Sequence, residues 1–136
     1  MVKGPKEGDF SYESFEKEKK DIFESLKRRA NLVVSGLNEI PGFECQEAEG
    51  SMYCFPKVDM PPKAIKEAEE QGTNVDTLYA LSLLKATGIC VVPAAGFGQR
   101  EGRAGFRTTF LPGEEEMKVA VEKFREHHEA FLAKYQ

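Results

Sequence analysis

The chain is poor in the residues that build disulfide frameworks and metal centres. It has three cysteines, Cys45, Cys54 and Cys90, an odd number scattered through apolar runs. They read as buried free thiols in a reducing compartment. The two histidines, His127 and His128, are adjacent on a helical stretch, so they diverge too far to share one metal and read as helix-face residues. No apolar run approaches the roughly 20 residues that cross a bilayer, and the charged start carries no signal-peptide core. A net charge of −4 argues against nucleic acid as the main partner. The basic residues Lys17, Lys19, Lys20, Lys27, Arg28 and Arg29 interleave with Glu13, Glu16, Glu18 and Glu24, which suits a solvated helix face or a subunit contact. A soluble, intracellular protein is expected, with no membrane partner. Its 136 residues, 40% hydrophobic, suffice for one domain with a core and hardly for two.

What is present is a mixed α+β pattern. Phe15, Ile22, Phe23, Leu26, Ala30, Val33 and Leu37 recur at helical spacing and predict one long helix over 11–40. Such a helix, about 45 Å long, overshoots a globule of this size, whose diameter is about 36 Å. It therefore reads as a connecting helix whose first half belongs against another domain. The alternative is a break near the charge run from Glu16 to Asp21. Phe43–Gln46 and Met52–Val58 suggest a strand pair around Glu47-Ala48-Glu49-Gly50. Pro61-Pro62 opens a helix that Gly72 ends. Asp76 can cap a helix running to about Ala86, with Gly88 as its stop. Ile89–Val92 reads as a short buried strand ended by Pro93. Glu114-Glu115-Glu116 favour the start of a final helix, with Met117, Val121, Phe124, His128, Phe131 and Tyr135 as its apolar stripe.

The segment Gly105–Pro112 reads as a strand. Alternation places Phe106, Thr108 and Phe110 on one face and Arg107 with Thr109 on the other. A guanidinium among half-buried neighbours is costly unless an anion meets it. The nearest acidic residue in sequence is Glu101, across a glycine-rich loop. A rigidly held planar fork suits a carboxylate. From pattern alone, an internal salt bridge or a solvent-facing edge arginine is the favoured explanation of the residue. The loop Gly96-Phe97-Gly98-Gln99-Arg100-Glu101-Gly102 matches neither the dinucleotide fingerprint nor the Walker sequence, and a strand follows it. It reads as a loop at the mouth of a site, whose glycines permit close backbone approach, or as a plain connection. Cys45 and Cys54 can face each other across a hairpin, with no base nearby to activate them.

The stretch Val91-Val92-Pro93-Ala94-Ala95-Gly96-Phe97-Gly98-Gln99, followed by Gly105-Phe106-Arg107-Thr108-Thr109-Phe110-Leu111-Pro112, resembles the C-terminal signature of fold-type I, pyridoxal-phosphate-dependent aminotransferases. The alanine aminotransferase branch is the best match. Glu49–Pro56, Leu83–Ile89 and the opening Met1–Asp9 extend the resemblance over essentially the whole chain, although Ala94 stands where the family commonly has glycine. The resemblance implies the small C-terminal domain of that fold, a short mixed or antiparallel sheet covered by helices, over residues 31–136. Residues 1–30 would end the large domain and start the connecting helix. It implies that Arg107 binds the substrate α-carboxylate, with Gly96, Phe97 and Gly98 in the active-site loop. The cofactor lysine and the acidic partner of the pyridine ring belong to the large domain, so this chain alone should bind no pyridoxal 5'-phosphate and be inactive. The whole enzyme would convert L-alanine and 2-oxoglutarate to pyruvate and L-glutamate as a homodimer. It would act in the cytoplasm, or in mitochondria if a transit peptide precedes it. A glutamate–glyoxylate aminotransferase, an aminocyclopropane-carboxylate-synthase-like enzyme, or a non-catalytic module binding a small carboxylate or a protein remain as alternatives.

Overall fold

A computed structural model describes residues 3–100 and 102–136. Met1 and Val2 of the opening motif, and Glu101, lie outside the described residues. The long helix forms unbroken as α1, Tyr12–Asn38, 27 residues and about 40 Å. The charge run does not interrupt it. Lys19 pairs with Glu16 at 3.0 Å and Lys20 with Glu24 at 3.9 Å, spacings that support a helix by a few tenths of a kcal/mol each. Only its second half is buried, through Ala30, Val33, Val34 and Leu37. The first half leaves Phe15 39%, Ile22 58% and Phe23 63% exposed.

α1 packs along the last helix, α4 (Glu114–Lys134). Gly36 lies at the crossing, where an added Cβ would come within 2.6 Å of Val121 Cγ1. The missing side chain is what lets the helices approach. All of the expected stripe is buried: Met117, Val121, Phe124, His128, Phe131 and Tyr135. Part of the basic stretch of α1 proves to be an internal tie. Arg28 pairs with Glu114 at 2.8 Å, and Arg29 donates to the carbonyls of Leu111 and Pro112.

The expected hairpin is only partly formed. β1 (Phe43–Glu44) pairs with β3 (Lys57–Val58), whereas β2 (Tyr53–Cys54) pairs with β5 (Phe106–Thr109). Pro56 separates β2 from β3 because it has no N–H to continue a ladder, and its carbonyl accepts from Phe106 N–H at 3.2 Å. β4 is Val92–Pro93, later than expected, and runs antiparallel to β5 with Val92 opposite Arg107. The order is β2-β5-β4. Val91 points inward, so Cys90 and Val92 point outward and are exposed. Cys90 is thus no buried thiol, unlike Cys45 and Cys54. The Cys54 thiol is pushed up by its hydrogen bond to Cys45 and by burial, which keeps it protonated.

α2 (Pro62–Glu70) and α3 (Val75–Thr87) form as expected, α3 closing on Gly88 at φ 76°. The cap of α3 is Asn74, not Asp76, whose carboxylate is used elsewhere. No helix among the described residues is long and apolar enough to cross a membrane. The core centres on Phe106, stacked between Phe124 (5.5 Å) and Tyr79 (6.1 Å).

His127 joins the stripe residue His128 in the core. The hydrogen bond from His128 Nε2 to the Pro41 carbonyl is 3.1 Å, which leaves Nδ1 to accept from Tyr79 at 3.3 Å. His127 Nε2 meets Ser82 Oγ at 2.9 Å, and its Nδ1 is buried without a partner. Burial pushes the His127 ring down to about 4, helped by the neighbouring His128. Burial also holds His128 below its ordinary value.

Two outcomes are expected. The apolar overhang of α1 should make the chain self-associate. Sedimentation should show this, and a double Ile22→Ser, Phe23→Ser variant should shift toward monomer with unchanged helicity. A wild-type chain that stays strictly monomeric at high concentration would contradict this. Second, unfolded histidine takes up protons near pH 6.5 while folded His127 stays neutral down to about 4. Stability should therefore fall as pH drops through this window. Between pH 7.5 and 5, His127→Gln should lose less stability than wild type by about 2 kcal/mol, from about 1.4 kcal/mol per pKa unit. Equal losses in urea unfolding would exclude this role.

Candidate functional site

The alternation of β5 sorts its residues by face. Phe106, Thr108 and Phe110 are buried, and Arg107 and Thr109 are half-buried on the other side. That outer face also carries Tyr53 from β2 and Val92 from β4, both exposed. Behind β4 a 3-10 turn, Ala94–Phe97, places Phe97 beside them. The Arg107 guanidinium carbon lies 4.6 Å from the Tyr53 ring centroid and 5.0 Å from that of Phe97. Tyr53 comes from β2 and Phe97 from the turn that follows β4, the strand on the other side of β5. Phe55 props Phe97 edge-on at 5.3 Å.

The internal salt bridge weighed as an alternative for Arg107 is not seen among the described residues. None of their ion pairs involves Arg107. The guanidinium lies instead over two aromatic rings. Each such contact is worth about 0.5–1 kcal/mol at an exposed site and leaves the N–H groups free to bond.

Asp76 supports this arrangement at one remove. Its side chain is buried, with Oδ2 accepting from Ala95 N–H at 2.5 Å and Oδ1 from Thr77 N–H at 2.9 Å. The carboxylate ties the start of α3 to the turn that carries Phe97. Gly98 ends that turn at φ 68°, a conformation glycine adopts without strain. Gly96 has open space where a Cβ would stand, so no close backbone approach occurs there within this chain. The close approach is at Gly105, where a Cβ would collide with the Pro56 carbonyl. Of the three loop residues picked out from sequence, Phe97 lies against Arg107.

Residues 98–100 and 102–104 form one wall of a cleft of about 660 Å³ against α2 and the start of α3, and Arg107 is not part of its lining. The arginine instead sits on an open sheet face. The residues present do not fit pyridoxal phosphate. That cofactor needs a lysine amine in a sheltered position. Every lysine here is exposed except Lys57, which is half-buried and held by Asp59 at 3.1 Å and Glu44 at 3.7 Å. No group of histidine, cysteine and carboxylate side chains among the described residues could hold a metal.

Sequence reasoning missed Tyr53 as a neighbour of Arg107 and Asp76 as a tie between elements. The outward alternation of Tyr53 and Phe55 around buried Cys54 was a readable signal. The pairing of β2 with β5 that gives it meaning was not.

No protein-family model matches the chain. It is 45% identical over 135 residues to a probable mitochondrial alanine aminotransferase of Dictyostelium discoideum, across 99% of this chain and 25% of that protein. It is 46% identical over 135 residues to glutamate–glyoxylate aminotransferase 2 of Arabidopsis thaliana, across 99% of this chain and 28% of that one. Among solved structures, the alanine aminotransferase of Pyrococcus furiosus superposes with a TM-score of 0.65 at 30% identity, over 79% of this chain and 24% of that one. The chain thus spans about a quarter of the length of the curated relatives it matches. It is homologous, over nearly all of its own length, to a segment of the alanine and glutamate–glyoxylate aminotransferases, and its α+β fold is one found in fold-type I aminotransferases.

Proposed function

We propose that this chain is the small C-terminal domain of a pyridoxal-phosphate-dependent aminotransferase and that Arg107 binds the α-carboxylate of its substrates. Residues 1–30 would close the large domain and begin the connecting helix, and residues 31–136 would form the small domain. One observation carries the reading: a half-buried guanidinium lying against two aromatic rings, on a sheet face that also presents the exposed Tyr53 and Val92. An arginine so held can offer a carboxylate two parallel N–H bonds. Gly96 and Gly98 serve by shaping the turn that sets Phe97.

The reaction proposed for the whole protein is transfer of the amino group of L-alanine to 2-oxoglutarate, giving pyruvate and L-glutamate. Amino acid and 2-oxo acid carry the same α-carboxylate, so one arginine serves both directions. The cofactor is assigned to the large domain, since no lysine of this chain is suited to it. The exposed first half of α1, with Phe15, Ile22 and Phe23, is the surface for that domain. The assembled enzyme is proposed to be a cytoplasmic homodimer, without nucleic-acid or membrane partners. A glutamate–glyoxylate aminotransferase is the second reading, favoured by the Arabidopsis relative at a similar identity.

In the full-length enzyme, Arg107→Leu should keep cofactor absorbance and lower kcat/KM for amino and 2-oxo acids alike. Loss of a charge-assisted bidentate pair should cost about 3–5 kcal/mol, or roughly 10²–10³-fold or more. Arg107→Lys should recover only part, because it keeps the charge without the planar fork. The 136-residue chain alone should neither transaminate nor retain the cofactor after borohydride. An Arg107→Leu enzyme within about threefold of wild type would overturn the assignment.

A further inference from the structure

We propose that Tyr53 and Phe97 are positioning residues that together hold the Arg107 guanidinium and fix the plane in which it meets a carboxylate. The inference rests on the reading of Arg107 as the carboxylate receptor and assigns how that receptor is held.

A bidentate arginine–carboxylate pair is coplanar, so the guanidinium plane must be set before the ligand arrives if binding is not to bear the cost of ordering it. A free arginine side chain carries about 2 kcal/mol of rotamer entropy. A protein carboxylate could orient it, but it would occupy the same N–H edge that the ligand needs. Aromatic rings avoid that competition because a cation is drawn to the ring face and keeps its donors available.

The geometry fits this division of labour. The ring centroids of Tyr53 and Phe97 lie 4.6 and 5.0 Å from the guanidinium carbon. Each ring is itself anchored. Tyr53 sits in β2 opposite Thr109, whose hydroxyl donates to the Met52 carbonyl at 2.8 Å and so ties the two strands again. Phe97 rests on Phe55 at 5.3 Å, ends a turn closed by Gly98, and is tied to α3 through the bond from Ala95 N–H to Asp76. Core packing does not account for the two rings, which are 42% and 43% exposed. Their shared neighbour is the arginine.

The test uses the full-length enzyme with its cofactor. Tyr53→Leu, Phe97→Leu, Tyr53→Phe and Arg107→Leu are compared in kcat, in KM for L-alanine, and in competitive inhibition by propionate, which supplies a carboxylate and no amino group. Tyr53→Leu and Phe97→Leu should each raise KM and the propionate inhibition constant about threefold to tenfold, with kcat changed far less. Tyr53→Phe keeps the ring and should restore both to near wild type. In an Arg107→Leu background, Tyr53→Leu should add nothing, since the clamp then has no arginine to hold. If Arg107→Leu weakens propionate and the ring variants do not, the clamp is wrong and the carboxylate reading stands. If Arg107→Leu itself leaves KM and propionate binding unchanged, the carboxylate reading fails, and the clamp with it. Ring variants that act equally with and without Arg107 would also overturn the clamp. Should Phe97→Leu fail to accumulate as holoenzyme, the solvent-facing Tyr53 series decides alone.

Discussion

Everything proposed for this chain depends on the burial of Phe106. Its ring is stacked between Phe124 of α4 and Tyr79 of α3, so β5 cannot rotate or slip without exposing it. A one-residue slip in a strand exchanges its two faces, and here it would drive Arg107 into the apolar core. The cost of burying an unpaired guanidinium and the gain from burying three apolar-facing residues therefore act together. They place the arginine outward, in the middle of the three-stranded sheet, where both flanking strands can supply a neighbour.

Two close approaches let that sheet and its helices meet. Gly36 brings α1 against Val121 of α4, and Gly105 brings the start of β5 against the Pro56 carbonyl. Neither glycine needs a positive φ; what each provides is the absence of a side chain. Around this frame the ties are polar and local: Asn38 bonds both the N–H and the carbonyl of Cys45, Arg28 and Arg29 hold the entry to α4, and Asp76 joins α3 to the turn before the glycine-rich loop. They govern the angles at which elements leave the core more than they add to its stability.

The uncovered half of α1 and the uncovered face of β5 are two aspects of one condition. A helix about 40 Å long is buried over its second half only, and a half-buried arginine has two exposed aromatic neighbours. Both would be unusual in a self-sufficient globule. Both accord with the proposal that other residues complete this chain, which spans about a quarter of its curated relatives' length.

Much of this was legible from residue order because the signals were local. The 3.6 periodicity gave α1 and α4 nearly to the residue, glycine stops gave the ends of α2 and α3, and alternation gave the two faces of β5. What failed was non-local. Met52–Val58 looked like one strand, but Pro56 lets it serve two partners, and only the position of β5 decides which half goes where. Asp76 looked like a cap because helix starts favour that residue, yet its carboxylate found a backbone donor nineteen residues away. Cys90 looked buried because its neighbours are apolar, but alternation about Val91 turned it outward. His128 fell on the apolar stripe, whereas His127 read only as a helix-face residue, and the packing of α3 against α4 put it inside against Ser82 and Tyr79. Sequence by itself determined the elements, the sidedness of Arg107 and the family resemblance, all of which depend on residues close together in the chain. Tertiary structure alone decided that Tyr53 and Phe97, 44 positions apart, meet across one guanidinium, because strand order and register depend on long-range burial.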